Sequence, residues 1–398
     1  MNRLAILGGK PVRNTFLAYG RQWIDDHDVE SVVEVLKGDY LTTGPCVEEF
    51  ERRVAAYVGA DYAVAVANGT AALHMACYAA GIQKGDEVIV SSMTFAASAN
   101  CVLYEGATPV FADIDPRTYN IDIEDVEKKV NERTKAIIPV DFTGQSVDMD
   151  RIMEVADRHG LIVIEDAAHA LGSEYKGRKI GNKAHMTMFS FHPVKPITTG
   201  EGGIITTNSE ELYQRMLLFR SHGITRDESI LTKNEGPWYY EQHCLGYNYR
   251  LTDLQCALGL SQLRRLDEFI ERRRSIARRY TEALSDEPGV ITPYEPDYSN
   301  SGWHLYIIRL RPEHLRVGRK EVFEALRAEN IGVNVHYIPV YLHPYYQKLG
   351  YKKGACPNAE RLYDESITLP LFPKMSDQDV EDVINAVRKV LHYYRKQT

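Results

Sequence analysis

The feature that most constrains the fold of this chain is an alternation of short apolar runs with amphipathic segments across its first half. Several of those segments carry apolar residues at three- and four-residue steps, which is typical of helices. Strands that are apolar throughout are buried on both faces, as in a parallel sheet covered by helices. The predicted strands are 63–66, 88–90, 109–112, 136–140, 161–164, 186–191 and 203–206, and the predicted helices are 70–80, 94–104, 122–130 and 148–158. We therefore expect an α/β fold with a mostly parallel seven-stranded sheet flanked by helices.

The second half of the chain predicts a smaller unit of a different kind. One long helical pattern covers 251–284 and ends just before Pro288, while 225–245 has no clean periodicity and resembles the long loops that form lids or contact partners. Beyond it, strand patterns at 305–310, 333–339 and 367–371 alternate with helical patterns at 319–328 and 376–394. We therefore predict a large domain that includes the N-terminal segment, a long linking helix and a small α+β C-terminal domain, over residues 1–250, 251–284 and 285–398.

Composition excludes several classes of protein. The 398 residues are 44% hydrophobic and 26% charged, and the net charge of −8 is unlike the basic footprint of a nucleic-acid-binding protein. No uncharged run reaches the roughly 20 residues that span a membrane, and residues 1–13 lack the apolar core of a signal peptide. The six cysteines form no C-x-x-C pair, and no ligand pairs stand at zinc spacing. We expect a cytoplasmic protein with free thiols and no metal, nucleic-acid or membrane partner.

The first candidate site is a glycine turn between the strand 63–66 and the helix 70–80. In Ala67-Asn68-Gly69-Thr70 the strand leads through a tight turn directly into the helix. The free N–H groups of a helix N-terminus bind anions and Thr70 adds a hydroxyl, so a phosphate would fit. Strand–turn–helix units are common, however, and this turn is neither a Walker A loop nor a G-x-G-x-x-G motif. Alone it is a weak indication.

The second candidate site is the end of the strand 161–164, which continues into Glu165-Asp166-Ala167-Ala168-His169. Ligands of open α/β sheets bind at the carboxyl ends of the strands, which is where Asp166 is predicted to lie. Capping of the next segment is an equally good interpretation of Asp166 alone. His169 is either a hydrogen-bonded structural histidine or a ligand contact.

The third candidate is a single lysine in the turn after the strand 186–191. Lys195 stands between Pro193 and Pro196, which hold it rigidly, and it could form a Schiff base if its pKa falls well below ~10.4. Pyridoxal 5′-phosphate (PLP) requires a lysine, a carboxylate for its ring nitrogen, a phosphate cup and a ring sandwich. The chain offers all four, as Lys195, Asp166, Gly69-Thr70 with Ser190, and Phe95. Together these residues indicate a PLP site far more strongly than any one of them.

These motifs resemble the DegT-type nucleotide-sugar aminotransferases, which are fold-type-I PLP enzymes. The resemblance covers nearly the whole chain, and its motifs are jointly specific: Leu41-Thr42-Thr43-Gly44-Pro45, Asn68-Gly69-Thr70-Ala71-Ala72-Leu73, Glu165-Asp166-Ala167-Ala168-His169, Ser190-Phe191-His192-Pro193-Val194-Lys195, Thr198-Thr199-Gly200-Glu201-Gly202-Gly203 and Gly246-Tyr247-Asn248-Tyr249-Arg250. It implies the aspartate-aminotransferase-like fold, PLP as the cofactor and pyridoxamine phosphate as its intermediate form.

The resemblance also implies a role for each matching residue. Lys195 would link to the cofactor and shuttle the proton, and Asp166 would keep the ring nitrogen protonated. Gly69, Thr70 and Ser190 would bind the phosphate, and in a homodimer Asn248 of the neighbouring subunit would join them. Phe95 and His169 would contact the ring of the cofactor. Tyr19, His192 and Arg250 would contact the substrate. From the residues alone, Asn248 is as well explained as a turn residue and Tyr19 as a packed surface tyrosine.

A narrower resemblance points to the branch of this family in the pseudaminic acid pathway. It rests on Asp141-Phe142-Thr143-Gly144-Gln145-Ser146, His169-Ala170-Leu171-Gly172-Ser173-Glu174-Tyr175 and Lys195-Pro196-Ile197-Thr198-Thr199. That branch implies ping-pong transfer of an amine from L-glutamate to C4 of a UDP-linked 4-keto-6-deoxy-N-acetylhexosamine, with an L-altrosamine product. One alternative is an aminotransferase for another nucleotide-linked keto-sugar, and another is a non-catalytic PLP-binding regulator. A third is a dehydratase of the same fold, which Lys195 argues against because such relatives carry His at that position.

Overall fold

The seven strands predicted in the first half of the chain form one sheet in the computed structural model of the protein, which describes residues 3–396. In chain order the strands are β1 Tyr62–Val66, β2 Glu87–Ser91, β3 Thr108–Ala112, β4 Thr134–Ile138, β5 Ile162–Asp166, β6 Glu174–Tyr175, β7 Arg178–Lys179, β8 Met186–Ser190, β9 Gly203–Thr207, β10 Ile224–Thr225, β11 Glu241–Gln242, β12 Val290–Ile291, β13 Ser299–Asn300, β14 Tyr306–Leu310 and β15 Ser366–Leu369. The large sheet has the order β1-β9-β8-β5-β4-β2-β3. Its pairs are parallel except those that β9 makes with β1 and β8, so the predicted mostly parallel sheet is confirmed.

Helices cover the sheet and form much of the second half of the chain. They are α1 Asp26–Lys37, α2 Pro45–Val58, α3 Gly69–Ala79, α4 Ala97–Tyr104, α5 Ile123–Lys129, α6 Met149–His159, α7 Glu210–Arg220, α8 Asp253–Leu263, α9 Leu266–Leu284, α10 Arg319–Ala328, α11 Pro344–Lys348, α12 Pro357–Glu365 and α13 Asp377–Tyr394. Local capping explains several boundaries. For example, Asp25 and Asp28 form a capping box at the start of α1, and Ser376 and Asp379 form one at the start of α13.

Alternate residues of the sheet enter different apolar cores, which explains why the strands are apolar throughout. Val64 and Val66 of β1 belong to one core, and Ala63 and Ala65 belong to the core on the other face. These four side chains are at most 5% exposed. Since side chains alternate across a strand, both faces of the sheet are buried beneath helices.

The single helix predicted over 251–284 is wrong, because two helices occupy that stretch. α8 ends at Leu263 and α9 begins at Leu266, after a turn at Arg264-Arg265. At this turn the Arg265 guanidinium donates to Asp25 at 2.5 Å and lies 4.7 Å from the ring centre of Trp23. The apolar periodicity continues across the turn, whereas contacts made with the N-terminal segment determine where the helix breaks.

The strand predicted over 333–339 is also wrong. Only Asn334 bridges to a neighbouring strand, at Thr368, and the next three residues turn towards a large cavity, where Val335, His336 and Tyr337 form part of the wall. The alternation of apolar and polar residues over 333–339, which predicted a strand, therefore belongs to a segment that forms part of a cavity wall. The other two predicted strands of the second half correspond to β14 and β15.

The N-terminal segment packs on the C-terminal part of the chain, which departs from its predicted place in the large domain of residues 1–250. Leu4 and Leu17 lie in the core formed by α9, α10, α13 and their strands. The Glu329 carboxylate accepts hydrogen bonds from the N–H groups of Ala5 and Val12, both at 2.9 Å. The predicted division at 250 and 284 stays a prediction. Within residues 3–396, no helix combines the length and apolarity needed to cross a membrane.

Candidate active site

A cavity of about 890 Å³ lies where the carboxyl ends of β5 and β8 meet the start of α3, and residues from the second half of the chain close it. It brings together nine of the residues predicted from the sequence: Tyr19, Gly69, Thr70, Phe95, Asp166, His169, Ser190, His192 and Lys195. The remaining two, Asn248 and Arg250, line a different cavity of about 770 Å³ together with Thr42, Thr43 and Arg226. Within one subunit, therefore, the predicted residues are divided between two cavities.

The glycine turn brings the N-terminus of α3 to this cavity. Asn68 caps the helix by accepting a hydrogen bond from the Ala71 N–H at 2.8 Å, and Gly69 and Thr70 then line the cavity. A Cβ at position 69 would stand 3.3–3.4 Å from Ser190, so glycine leaves the space between them open. The turn also packs closely against β9 at Gly203. A Cβ at that position would lie only 2.6 Å from the Asn68 carbonyl, which leaves room for glycine alone. Local packing thus creates a cradle lined by N–H and hydroxyl groups, as an anion site requires.

Asp166 is the last residue of β5 and is 4% exposed. One carboxylate oxygen accepts a hydrogen bond from the Ser98 hydroxyl at 2.6 Å, and the other accepts one from the Ala168 N–H at 3.2 Å. Burial raises the pKa of Asp166, while these hydrogen bonds and the positive charge of Lys195 oppose that rise. A cationic ligand group placed against Asp166 would favour the ionised carboxylate further.

Lys195 lies in the turn that follows β8. Its backbone N–H donates to the His192 carbonyl at 2.9 Å, and Pro193 and Pro196 restrict the turn on both sides. Burial lowers the pKa of Lys195 to about 8, although the negative charge of Asp166 acts in the opposite direction. At pH 7 about one-tenth of such lysines carry an unprotonated amine, which is the form needed for a nucleophile or a base.

His169 is a buried, neutral group in the wall of the cavity. Burial, followed by the positive charge of Lys195, holds the pKa of His169 well below its usual range. Its Nε2 is 3.2 Å from the Tyr337 hydroxyl, and its Nδ1 has no hydrogen-bond partner among residues 3–396. The ring centre of His304 is 4.5 Å away. A buried polar atom without a partner indicates a contact that a bound ligand would complete.

Several residues of the site were missed in the sequence, and four of them surround Asp166, Lys195 and His169. Ser98 binds Asp166 from within α4, while His304, His336 and Tyr337 come from the second half of the chain. Ser98 had only a weak signal, since it and Asn100 are the polar residues among the mostly apolar residues of α4. The other three lie far from the motifs, and tertiary folding alone brings them to Lys195. No cluster of three or more His, Cys, Asp or Glu side chains in the described part of the chain could hold a metal ion.

The residues of the cavity fit PLP. The cradle of Gly69, Thr70 and Ser190 suits a phosphate, and Asp166 suits the ring nitrogen. The lysine with a lowered pKa stands in the same cavity, and the Phe95 side chain is 61% exposed there, so its ring is free to cover a bound group. Each part of the cofactor therefore has a chemically suitable partner.

Comparison with known proteins identifies the family. Residues 22–388 match the DegT/DnrJ/EryC1/StrS aminotransferase family. The chain belongs to this family. Its members are PLP-dependent sugar aminotransferases, so the protein is an enzyme, and the fold and family predicted from the sequence are confirmed.

Individual relatives cover the chain almost completely. It is 48% identical over 381 residues to the spore coat polysaccharide biosynthesis protein SpsC of Bacillus subtilis, covering 95% of this chain and 98% of SpsC. It is 39% identical over 383 residues to the UDP-4-amino-4,6-dideoxy-N-acetyl-beta-L-altrosamine transaminase of Campylobacter jejuni, covering 96% and 99%.

Solved structures agree with this assignment. Helicobacter pylori PseC, an aminotransferase involved in pseudaminic acid biosynthesis, has a TM-score of 0.89 at 34% identity, covering 96% of this chain and all of PseC. The PLP form of Spr1654 from Streptococcus pneumoniae has a TM-score of 0.89 at 32% identity, covering 95% and 99%.

Proposed function

We propose that this enzyme transfers the amine of L-glutamate to the C4 ketone of a UDP-linked 4-keto-6-deoxy-N-acetylhexosamine, with an L-altrosamine product. The observation that carries the aminotransferase assignment is the meeting of Lys195, Asp166 and the glycine cradle in one cavity. The relatives in C. jejuni and H. pylori, which cover at least 96% of the chain, support the choice of sugar.

Binding of the cofactor is assigned to residues of the large sheet. Gly69, Thr70 and Ser190 would hold the phosphate through N–H and hydroxyl groups. Asp166 would bind the protonated ring nitrogen, and Ser98 orients its carboxylate. When bound, PLP supplies an electrophilic carbon for the incoming amine and a ring that accepts the electrons released at the reacting carbon.

Lys195 moves the proton in both half-reactions. Its unprotonated Nζ would take the proton from the α-carbon of glutamate and pass it to the bound cofactor. In the second half-reaction Nζ would carry a proton back from the cofactor to the sugar carbon that receives the amine. Burial makes this possible near neutral pH because it lowers the lysine pKa to about 8. The same amine would hold the cofactor between reactions, a role for which the cavity lining offers no other lysine.

The remaining residues of the wall exclude water and orient the ligands. His169 stays neutral, so it offers a hydrogen bond to the ring hydroxyl of the cofactor without adding a positive charge beside Lys195. Tyr337 holds the imidazole through its hydroxyl at 3.2 Å. Tyr19 and His192 line the cavity and are assigned to the substrate side.

A homodimer is part of this proposal. Asn248 and Arg250 lie in the second cavity, where they are separated from the Lys195 of their own subunit. Asn248 is exposed, so its amide is available to a neighbouring subunit. We assign Asn248 to the phosphate of the neighbouring cofactor and Arg250 to the neighbouring substrate, in a symmetric pair of sites.

A second candidate is an aminotransferase for a different nucleotide-linked keto-sugar. It is favoured by the 48% identity to SpsC, whose name places it in spore coat polysaccharide biosynthesis. The chemistry of Lys195 and Asp166 would be the same, and only the sugar pocket would differ. A non-catalytic PLP-binding regulator is less well supported, because it does not need the lowered pKa that makes the Lys195 amine available as a base.

The test is a coupled reaction followed by NMR. It contains UDP-N-acetylglucosamine, an inverting 4,6-dehydratase, L-glutamate, PLP and the purified enzyme, with the Lys195→Ala variant as the matched control. We expect an amine at C4 of an L-altro ring and one 2-oxoglutarate for each amine formed, and no product with the variant.

Two results would change the assignment in different ways. An unchanged ketone together with release of one 2-oxoglutarate per subunit would retain the aminotransferase and transfer the assignment to another keto-sugar. No 2-oxoglutarate at all, from protein that has bound PLP, would overturn the aminotransferase and favour the regulator.

A further inference from the structure

A buried histidine beside the glycine turn makes one hydrogen bond and one close contact with a carboxylate that the proposed mechanism does not use. His74 lies on α3, one turn after Thr70, and is 5% exposed. Its Nε2 is 3.1 Å from the Glu105 carboxylate, and its Nδ1 is 2.9 Å from the Tyr249 hydroxyl. The three side chains thus form a continuous chain of carboxylate, imidazole and phenol.

The order of donors along this chain follows from the groups themselves. A carboxylate only accepts, so the close contact with Glu105 favours a proton on Nε2 of the imidazole. When Nε2 carries the only ring proton, Nδ1 accepts a hydrogen bond and the Tyr249 hydroxyl donates it. Burial raises the pKa of Tyr249, which keeps this proton on the phenol. The position of the Tyr249 ring is therefore set by a directed hydrogen bond as well as by packing.

Aromatic rings surround the buried imidazole on several sides. The ring centres of Tyr104, Phe219 and Tyr247 lie 5.1–5.2 Å from that of His74. Among residues 3–396, Glu105 is the only charged side chain paired with this histidine. A hydrogen bond is stronger in such an apolar shell than at the surface, and its loss leaves a buried polar atom unpaired.

The backbone of Tyr249 is bonded directly to the start of the glycine turn. The Ala67 N–H donates to the Tyr249 carbonyl at 2.8 Å, and Val66 forms a bridge with Arg250. The Tyr249 side chain lines the main cavity together with Gly69 and Thr70. Any movement of Tyr249 is therefore passed to the residues that form the cradle.

We propose that Glu105, His74 and Tyr249 form a positioning relay, which fixes the turn Ala67–Thr70 in the geometry that binds the cofactor phosphate. The relay rests on the proposed role of Gly69 and Thr70. Its members are positioning residues, since they act on the cradle through Tyr249. Packing alone is the competing explanation, in which the hydroxyl of Tyr249 has no effect.

The experiment measures PLP affinity of the cofactor-free protein by absorbance titration. The variants are Tyr249→Phe, which removes only the hydroxyl, His74→Phe, which keeps a ring in the aromatic shell, and the double variant. We expect each single variant to raise the PLP dissociation constant about three- to tenfold, as for the loss of one hydrogen bond. The double variant should exceed the larger single effect by less than about twofold, because both changes break the same relay.

The matched control is Tyr247→Phe. Tyr247 stacks on Tyr249 with ring centres 5.0 Å apart, and its hydroxyl makes no hydrogen bond within the described chain. We expect wild-type PLP affinity from this variant. Equal effects of Tyr247→Phe and Tyr249→Phe, or wild-type affinity of Tyr249→Phe, would overturn the relay. Failure of the wild-type protein itself to bind PLP would instead overturn the proposed function.

Histidine nitrogen NMR provides a readout that does not depend on the cofactor. We expect the proton of His74 on Nε2, and we expect the Nδ1 resonance to shift in Tyr249→Phe, where its donor is missing. A proton on Nδ1 in the wild-type protein would reverse the inferred order of donors and overturn the relay. Thermal unfolding of each variant separates these effects from a general loss of structure.

Discussion

At the scale of single residues, the charge balance between Lys195 and Asp166 decides the chemistry of the site. Burial lowers the pKa of Lys195, and the negative charge of Asp166 partly reverses that shift. The lysine amine is thus available as a base near neutral pH because an apolar environment disfavours its charged form, and the nearby carboxylate limits the effect.

This balance predicts the result of neutralising Asp166. In the cofactor-free enzyme, Asp166→Asn should lower the pKa of Lys195 below about 8, because the opposing negative charge is lost. NMR of isotope-labelled lysine side chains measures this pKa. Asp150→Asn is the matched control, since Asp150 pairs with Lys176 at 2.6 Å on the surface. A pKa of Lys195 that rises or stays constant in Asp166→Asn contradicts the prediction.

A second prediction concerns Ser98, whose hydroxyl donates to Asp166 at 2.6 Å. Ser98→Ala should raise the pKa of Asp166 further and reduce the free energy of unfolding by about 1.5–3 kcal/mol at pH 7, the range for a hydrogen bond to a charged group. Urea denaturation measures the loss. Ser31→Ala controls for the higher helix propensity of alanine, because the Ser31 hydroxyl bonds only the His27 carbonyl within its own helix α1. Equal free energies of unfolding of the two variants would show that the Ser98 hydrogen bond does not contribute to stability.

At the scale of elements, the site depends on how closely β9 and the turn before α3 approach each other. A Cβ on Gly203 would lie 2.6 Å from the carbonyl carbon of Asn68 and 2.8 Å from the backbone N of Gly69. Both contacts are with backbone atoms, so no flexible side chain can move aside. The strand and the cradle are thus packed as one unit.

Gly203→Ala should therefore weaken both the fold and the cofactor site. We expect a loss of about 1–3 kcal/mol in the free energy of unfolding, as for an overpacked core, and weaker PLP binding because the turn must shift. Denaturation and absorbance titration measure the two effects. Gly38→Ala is the control, since a Cβ there has its nearest contact at 3.4 Å. Full PLP affinity in Gly203→Ala would show that the cradle tolerates movement of β9.

At the scale of the whole molecule, the two ends of the chain are joined by one buried carboxylate. Glu329 is fully buried and accepts from the N–H groups of Ala5 and Val12, while Lys389 donates to it at 2.8 Å. Removing one partner of a buried ion pair leaves the other charge uncompensated. We expect Glu329→Ala to cost about 3–5 kcal/mol by chemical denaturation and the exposed Glu282→Ala to cost less than about 0.5 kcal/mol. A small loss in Glu329→Ala would mean that packing of Leu4 and Leu17 is sufficient to hold the N-terminal segment.

The proposed exchange of Asn248 between subunits is tested by complementation. Lys195→Ala and Asn248→Ala homodimers should each be nearly inactive. Mixing and refolding equal amounts should restore about a quarter of the wild-type activity, because half of the dimers are mixed and each contains one complete site. Activity that does not rise on mixing would assign Asn248 to its own subunit. Lys195→Ala protein that is mixed with itself and refolded in the same way gives the baseline activity, because it cannot form a complete site.

Local sequence patterns were sufficient to predict the strands of the large sheet and the residues at its carboxyl edge. Short apolar strands, capped helices and the segments around Gly69, Asp166 and Lys195 are local in sequence, so periodicity and motifs predict them. Nine predicted residues therefore meet in one cavity.

Contacts between distant parts of the chain could be located only once the chain was folded. The break at Arg264-Arg265 depends on Trp23 and Asp25, the cavity wall at 335–337 replaces a predicted strand, and the N-terminal segment lies on the C-terminal core. The same holds for Ser98 against Asp166 and for His74 between Glu105 and Tyr249. These contacts join residues far apart in the chain, and their geometry arises from packing, on which the local sequence pattern carries no information.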